Sequence, residues 1–213
     1  MYRVLVSAVV SLCLAGCSMA NNSLTAGFAN SGQPEPRAPR NRETASIDRP
    51  AKQASAKTAD LAPKGAFEKA PRGALSDRDY SSTRLDVERA RELVNSYRKS
   101  KGLRPLLLQP ALTEAARAHS RDLAKWDRIS HFGSDGSNPW DRVKRAGYPA
   151  KLAAENVGTG QADIEEVIKG WQASPGHNKN LLLPDAQHMG IALVQDTKTD
   201  FKTFWTLVIG SPL

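Results

Sequence analysis

Two histidines and one glutamate in the C-terminal half have side chains from which a divalent-cation site or an acid/base pair can be built. They occur in three short stretches, Ser130-His131-Phe132-Gly133-Ser134-Asp135-Gly136, Ala154-Glu155-Asn156-Val157 and Trp171-Gln172-Ala173-Ser174-Pro175-Gly176-His177-Asn178. Two neutral imidazoles bind zinc or a similar ion, and a carboxylate either joins them as a ligand or orients one ring through its second nitrogen. The same groups serve as acid and base when they share a pocket. If they do not converge, His131 and His177 merely bond loop backbone and Glu155 caps a turn.

Periodicity identifies the elements that must position them. Ala90, Leu93, Val94 and Tyr97 follow the i, i+3, i+4, i+7 rule, with a capping start at Thr83 to Asp86 and Gly102 as the stop. A second helix opens with Pro110 in its first turn and carries Leu112, Ala116, His119, Leu123 and Trp126 on one stripe. Asn138-Pro139 is a cap-then-proline start for a short third helix with Trp140 and Val143 inward and Gly147 at its end. Asp163 caps a fourth, whose face is Ile164, Val167, Ile168 and Trp171, and which leads into a turn at Ser174-Pro175-Gly176-His177. The tail changes period, and His188 to Gln195 with Phe201 to Ile209 reads as a hairpin. Glu155 to Gly158 supplies a further strand. Helices followed by antiparallel strands indicate an α+β domain.

On that frame His119 reads as a core histidine and His188 as a surface or strand-edge residue. Asp141 and Arg142 read as a local structural pair, and the four tryptophans as packing residues. Ser134 and Ser174 have no triad partner that the sequence can establish. A surplus of basic residues, net charge +8 over the chain, is scattered, with no aromatic-interleaved basic run, which argues against nucleic acid as a partner.

Compartment is legible at the other end. Met1-Tyr2-Arg3 followed by the apolar run Val4 to Leu14 is too short to span a bilayer permanently and reads as a signal peptide. Leu14-Ala15-Gly16-Cys17 resembles the lipobox of bacterial lipoproteins, which implies cleavage after residue 16 and lipidation of Cys17. Cleavage near Ala20 is the alternative. Dual acylation anchors a protein durably, and Ser18 fits sorting to the outer membrane in a cell that has two. The only other cysteine, Cys13, lies in the apolar run, so the mature chain has neither disulfide nor thiol nucleophile. Residues 17–82, poor in large apolar side chains and with ten basic to seven acidic groups after Cys17, read as a lipidated N-terminus and disordered linker. The folded domain is expected over residues 83–213.

The order of the motifs, from the helix ending in Tyr97 through His131-Phe132-Gly133, Ala146-Gly147-Tyr148 and Glu155-Asn156-Val157 to Trp171 and Ser174-Pro175-Gly176-His177-Asn178, resembles the CAP superfamily. These are the cysteine-rich secretory, antigen 5 and pathogenesis-related proteins, also known by their SCP domain. The resemblance covers Leu85 to Ile209 and implies a three-layer α-β-α sandwich with a cleft lined by two histidines and two glutamates. His131, Glu155 and His177 match three of those positions. The fourth, two residues before the tryptophan, is Lys169 here, and Glu166 on the same helix is the possible substitute.

Two functions follow as expectations. One is a non-catalytic, membrane-anchored module that binds a small amphiphile or lipid, a peptide or a cation in this cleft. The alternative is a divalent-metal-dependent hydrolase with His131 and His177 holding an ion such as zinc and Glu155 as general base. A lysine at position 169 would weaken the metal site.

Overall fold

The structure is a computed structural model that describes residues 59–213. The expected signal peptide, the expected lipidation site Cys17 and the expected linker up to residue 58 lie outside the described residues.

Leu85 to Ile209 builds the expected sandwich. Helix α1 (Val87–Ser100) is capped by Asp86, whose side chain accepts from the Arg89 amide at 3.0 Å, and the chain turns away at Gly102 with φ of +72°. A two-residue strand, β2 (Leu107–Leu108), precedes α2 (Pro110–Trp126), and α3 (Pro139–Arg145) starts in a full capping box between Asn138 and Asp141. Asp141 is thus occupied at the helix start and does not pair with Arg142. Strand β4 (Ala150–Thr159) is longer than Glu155 to Gly158 alone. Helix α4 (Ile164–Ala173) is followed at once by α5 (Pro175–Leu181), so the expected Ser-Pro-Gly-His turn is helical. Pro175 sits in its first turn, where a missing N–H costs nothing. The hairpin is β5 (His188–Gln195) with β6 (Thr203–Pro212).

The main sheet has the order β2-β5-β6-β4, antiparallel except for β2 alongside β5. Alternation along β6 divides the core. Trp205, Leu207 and Ile209 meet α1, α4 and α5 through Ala90, Val94, Val167, Ile168, Trp171 and Leu181. Val208 faces the opposite layer, where Leu112, Ala115 and Ala116 of α2 pack with Val143 of α3. Gly190 of β5 is what lets α2 lie this close, because a Cβ there would stand 2.1 Å from the Thr113 amide nitrogen. Trp171 and Trp205 are buried, whereas Trp126 and Trp140 are half-buried. Among the described residues no helix is long and apolar enough to cross a membrane.

Residues 59–82 depart from the linker expectation. They run across the domain as a strap, and β1 (Phe67–Glu68) pairs antiparallel with β3 (Ile129–Ser130) in a separate two-stranded sheet. The packed chain therefore begins before Thr83. Composition hid this because the strap is held by backbone hydrogen bonds and ion pairs and contributes few large apolar side chains.

Candidate functional site

The site is organised by β4, the outer strand of the sheet. Its residues alternate, so Ala153, Glu155 and Val157 face the layer of α2 and α3 while Asn156 faces α5. Among the described residues β4 is the edge strand, so Asn180 of α5 reaches the Glu155 backbone carbonyl while His119, His131 and Arg142 meet its carboxylate on the opposite face.

Glu155 is 1% exposed and its carboxylate is fully engaged. Oε1 accepts from Nδ1 of His131 at 2.9 Å and lies 3.5 Å from Nε2 of His119. Oε2 accepts from the Arg142 guanidinium at 2.7 Å, and Arg142 also donates to the carbonyls of Ser137 at 2.8 Å and His131 at 3.0 Å. Burial by itself would raise the Glu155 pKa. Arg142, then His119 and His131, outweigh it and hold the carboxyl well below the usual carboxylate range. His119, fully buried, donates from Nε2 to the Ser130 carbonyl at 2.8 Å; burial first and Arg142 second push its pKa down to about 4. At neutral pH this imidazole is uncharged, and Glu155 and Arg142 balance each other.

The third motif approaches from α5. His177 is 2% exposed, its ring lies 6.4 Å from that of Trp171, and its carbonyl accepts from Asn156 at 3.1 Å. Burial, and next the neighbouring His131, lower its pKa to about 4. Asn180 of the same helix donates to the Glu155 carbonyl at 3.1 Å and to the Asn156 side chain at 2.9 Å, which binds α5 to the strand edge. His131 and Glu155 are therefore in direct contact, whereas His177 adjoins them from α5, near enough to His131 to feel its charge.

Glu166 is not part of this cluster. Its carboxylate, 39% exposed, is paired with Arg78 of the strap at 2.7 Å and accepts from the Ala162 amide. Lys169 stands exposed on α4, away from the Val167, Ile168 and Trp171 face, so the cation at the site is Arg142. Two participants escaped the sequence reading. His119 was legible as inward-facing, but not its place beside Glu155. Arg142 was assigned to Asp141, although Pro139, Arg142, Val143 and Ala146 form an i, i+3, i+4, i+7 stripe that signals an inward arginine. His188, at the start of β5, is half-buried and its Nδ1 shares a hydrogen bond of 2.7 Å with the Tyr148 hydroxyl.

The donor set does not suit a divalent cation. Among the described residues no three His, Cys, Asp or Glu side chains are placed to hold one. Both Glu155 oxygens are taken, one of them by a guanidinium whose charge repels a metal ion. What adjoins the cluster is a recess of about 220 Å³ between α2, the turn after His131 and α3, with His119, Asp122, Ser134, Asp135, Arg142 and Arg145 in its wall. Asp135 at its rim is paired with Arg145 at 2.8 Å; burial opposes its ionisation, but bonds from Ser137 and the charge of Arg145 bring its pKa to about 2.

Fold and site together define a helix-sheet-helix domain with a buried histidine-carboxylate-arginine cluster on its outer strand. The chain belongs to the CAP family, the cysteine-rich secretory protein family, which it matches over residues 91–209. This chain has no cysteine in that region. The Bacillus subtilis (strain 168) protein YkwD, described as uncharacterized, is 38% identical over 104 residues, which is 49% of this chain and 40% of that protein. An extracellular protein containing an SCP domain from Bacillus anthracis str. Ames is similar in structure, with 25% identity and a TM-score of 0.52 over 58% of this chain and 39% of that one. An outer surface protein of Borrelia burgdorferi, 20% identical, shares the fold with a TM-score of 0.54 over 61% of this chain and 97% of its own. The chain thus spans about two fifths of the length of the first two relatives.

Proposed function

We propose that this chain is an exported, envelope-anchored binding protein whose CAP domain holds a small polar group beside the Glu155 cluster and performs no chemistry on it. The observation that carries this reading is the state of Glu155. Its two oxygens are occupied by His131 and Arg142, and its low pKa makes it a weak base with no proton to give at neutral pH. A metal-dependent hydrolase, the alternative, needs both a ligand set and an available base, and neither is supported by this arrangement. The recess of about 220 Å³ is small beside pockets for drug-sized ligands, roughly 300 Å³ and upward, so it favours one polar group, such as a peptide side chain or a lipid headgroup. Anchoring through lipidated Cys17 rests on the lipobox-like Leu14-Ala15-Gly16-Cys17, and an outer-membrane address on Ser18.

Native mass spectrometry of the full chain released from membranes in mild detergent tests the reading. A retained small molecule that is lost in Arg145→Glu, a change at the recess rim, is the expected result. Repeated recovery of the bare chain, or retention unchanged in the variant, would overturn it. Cys17→Ser should abolish the acyl mass at the N-terminus and leave an uncleaved or soluble form; a wild-type N-terminus carrying no acyl mass would remove the anchor.

A further inference from the structure

We propose that the strap ahead of the CAP domain is a positioning element for His131, riveted in place by Arg128. The turn that carries His131 is held from three directions. Helix α2 holds it through Asp122, which accepts from the Ser134 amide and hydroxyl, and α3 holds it through Arg142. The strap supplies the third contact on both flanks of His131. Before it, Phe67 registers opposite Ser130, whose hydroxyl donates to the Ala66 carbonyl at 2.6 Å and accepts from the Phe132 amide at 2.9 Å. After it, the Leu61 amide donates to the Ser134 carbonyl at 2.7 Å.

Arg128 explains why this chain segment stays down. It is 1% exposed, yet its guanidinium is charged and must be compensated. Two carboxylates compensate it, Asp60 of the strap, which accepts from it at 2.5 Å, and Asp122 of α2 at 3.7 Å. The Phe67 ring of the strap lies 5.1 Å away and Trp126 of α2 at 5.5 Å, so the hydrogen-bonded partner and one of the two rings come from the strap. Lys69 adds a bond to the carbonyl of Trp126 at the C-terminal end of α2, at 2.9 Å. The other end of the strap is tied down separately, with Arg78 on Glu166 and the Arg78 and Tyr80 side chains donating to the Gly160 carbonyl. Glu166, which the motif pattern offered as a cleft ligand, is therefore an anchor of the strap. Since Ser130 also receives the Nε2–H of His119, displacing Ala66 and Phe67 loosens the backbone on which two of the cluster's histidines depend.

The test uses the full chain in detergent, comparing wild type with Asp60→Ala/Phe67→Ala. Hydrogen exchange followed by mass spectrometry should accelerate about tenfold at 60–69 and at 130–136, with β5 and β6 unchanged. In ¹⁵N-histidine spectra, the His131 ring should lose the Nδ1–H pattern imposed by Glu155 and move toward the averaged signals of a free imidazole. Phe67→Tyr, which keeps the ring, should behave as wild type. Release of 60–69 with 130–136 and the His131 signals unchanged would show that Asp122 and Arg142 suffice and would sink the proposal. So would full protection of 60–69 in the double variant, which would mean that Arg128 is not the rivet, or uniform acceleration through β5 and β6, which would mean a general loss of stability.

Discussion

Arg142 of α3 donates to Oε2 of Glu155 on β4 at 2.7 Å, and the two side chains are 5% and 0% exposed. This pair decides the chemistry of the site. It keeps the carboxylate ionised in a buried place, occupies one of its two oxygens, and ties the turn after His131 to the strand.

Removing one partner should be costly. Arg142→Met leaves a buried carboxylate without its counter-ion, for which about 3–5 kcal/mol is the usual scale. Chemical denaturation should show a loss of that order, and a fall in Tm of roughly 10 °C. The double variant Arg142→Met/Glu155→Leu should be more stable than Arg142→Met alone, because it removes the orphaned charge. Equal stability would mean that the pair is not compensated as the geometry indicates.

Stability should also fall with acid in a defined window. His119 and His177 titrate near 4 in the folded chain and near 6.5 when unfolded, so the unfolded state binds more protons between those values. Each then removes up to about 1.4 kcal/mol of stability per pH unit as pH drops from 6.5 toward 4. Glu155 has the depressed carboxylate pattern, so its contribution is present above the unfolded carboxylate pKa and is lost only at lower pH. Urea unfolding at pH 7 and pH 5 measures the slope. His177→Asn should reduce it by about one proton, and a flat profile in the wild type would contradict the burial of both rings.

Gly190→Ala probes the platform beneath the site. The added Cβ would stand 2.1 Å from the amide nitrogen of Thr113 and 2.2 Å from the carbonyl carbon of Leu112, both backbone atoms of α2. Overpacking of this kind costs typically about 1–3 kcal/mol, and more where backbone must move. Because α2 carries His119, the variant should also disturb the His119 ring signals in ¹⁵N spectra; a stable variant with unchanged spectra would be inconsistent with this packing.

Glu166→Ala offers the opposite expectation. The pair with Arg78 is substantially exposed at 40% and 39%, so its loss should cost no more than about 1 kcal/mol. Signals of His131 and His177 should stay in place. A large shift of the His177 ring, which the strap does not touch, would return Glu166 to the cleft.

Zinc titration of the full chain by calorimetry should give no stoichiometric heat, since the donors at Glu155 are already committed to His131 and Arg142. Uptake that disappears in His131→Ala/His177→Ala would restore the metal reading.

Much of the fold was legible because its signals are local. Apolar periods marked α1, α2, α4 and the hairpin, and Asn138 and Asp163 marked helix starts through bonds to amides three residues on, while the capping start expected at Thr83 to Asp86 falls on Asp86. The short strands β1, β2 and β3 were not legible, since two residues carry no period. Nor was α5, whose Pro-Gly start reads equally as a turn.

His131, Glu155 and His177 were readable as members of one family's motifs, on elements of known period. Which charges they meet followed from the packing of distant segments. Periodicity and capping report neighbours within one helical turn, whereas Glu155 finds His119, His131, Arg142 and Asn180 at separations of 13 to 36 residues because its strand lies at the open edge of the sheet. The same distance rule sent Glu166 to Arg78, 88 residues away, and left Arg142 as the cation that shapes the site.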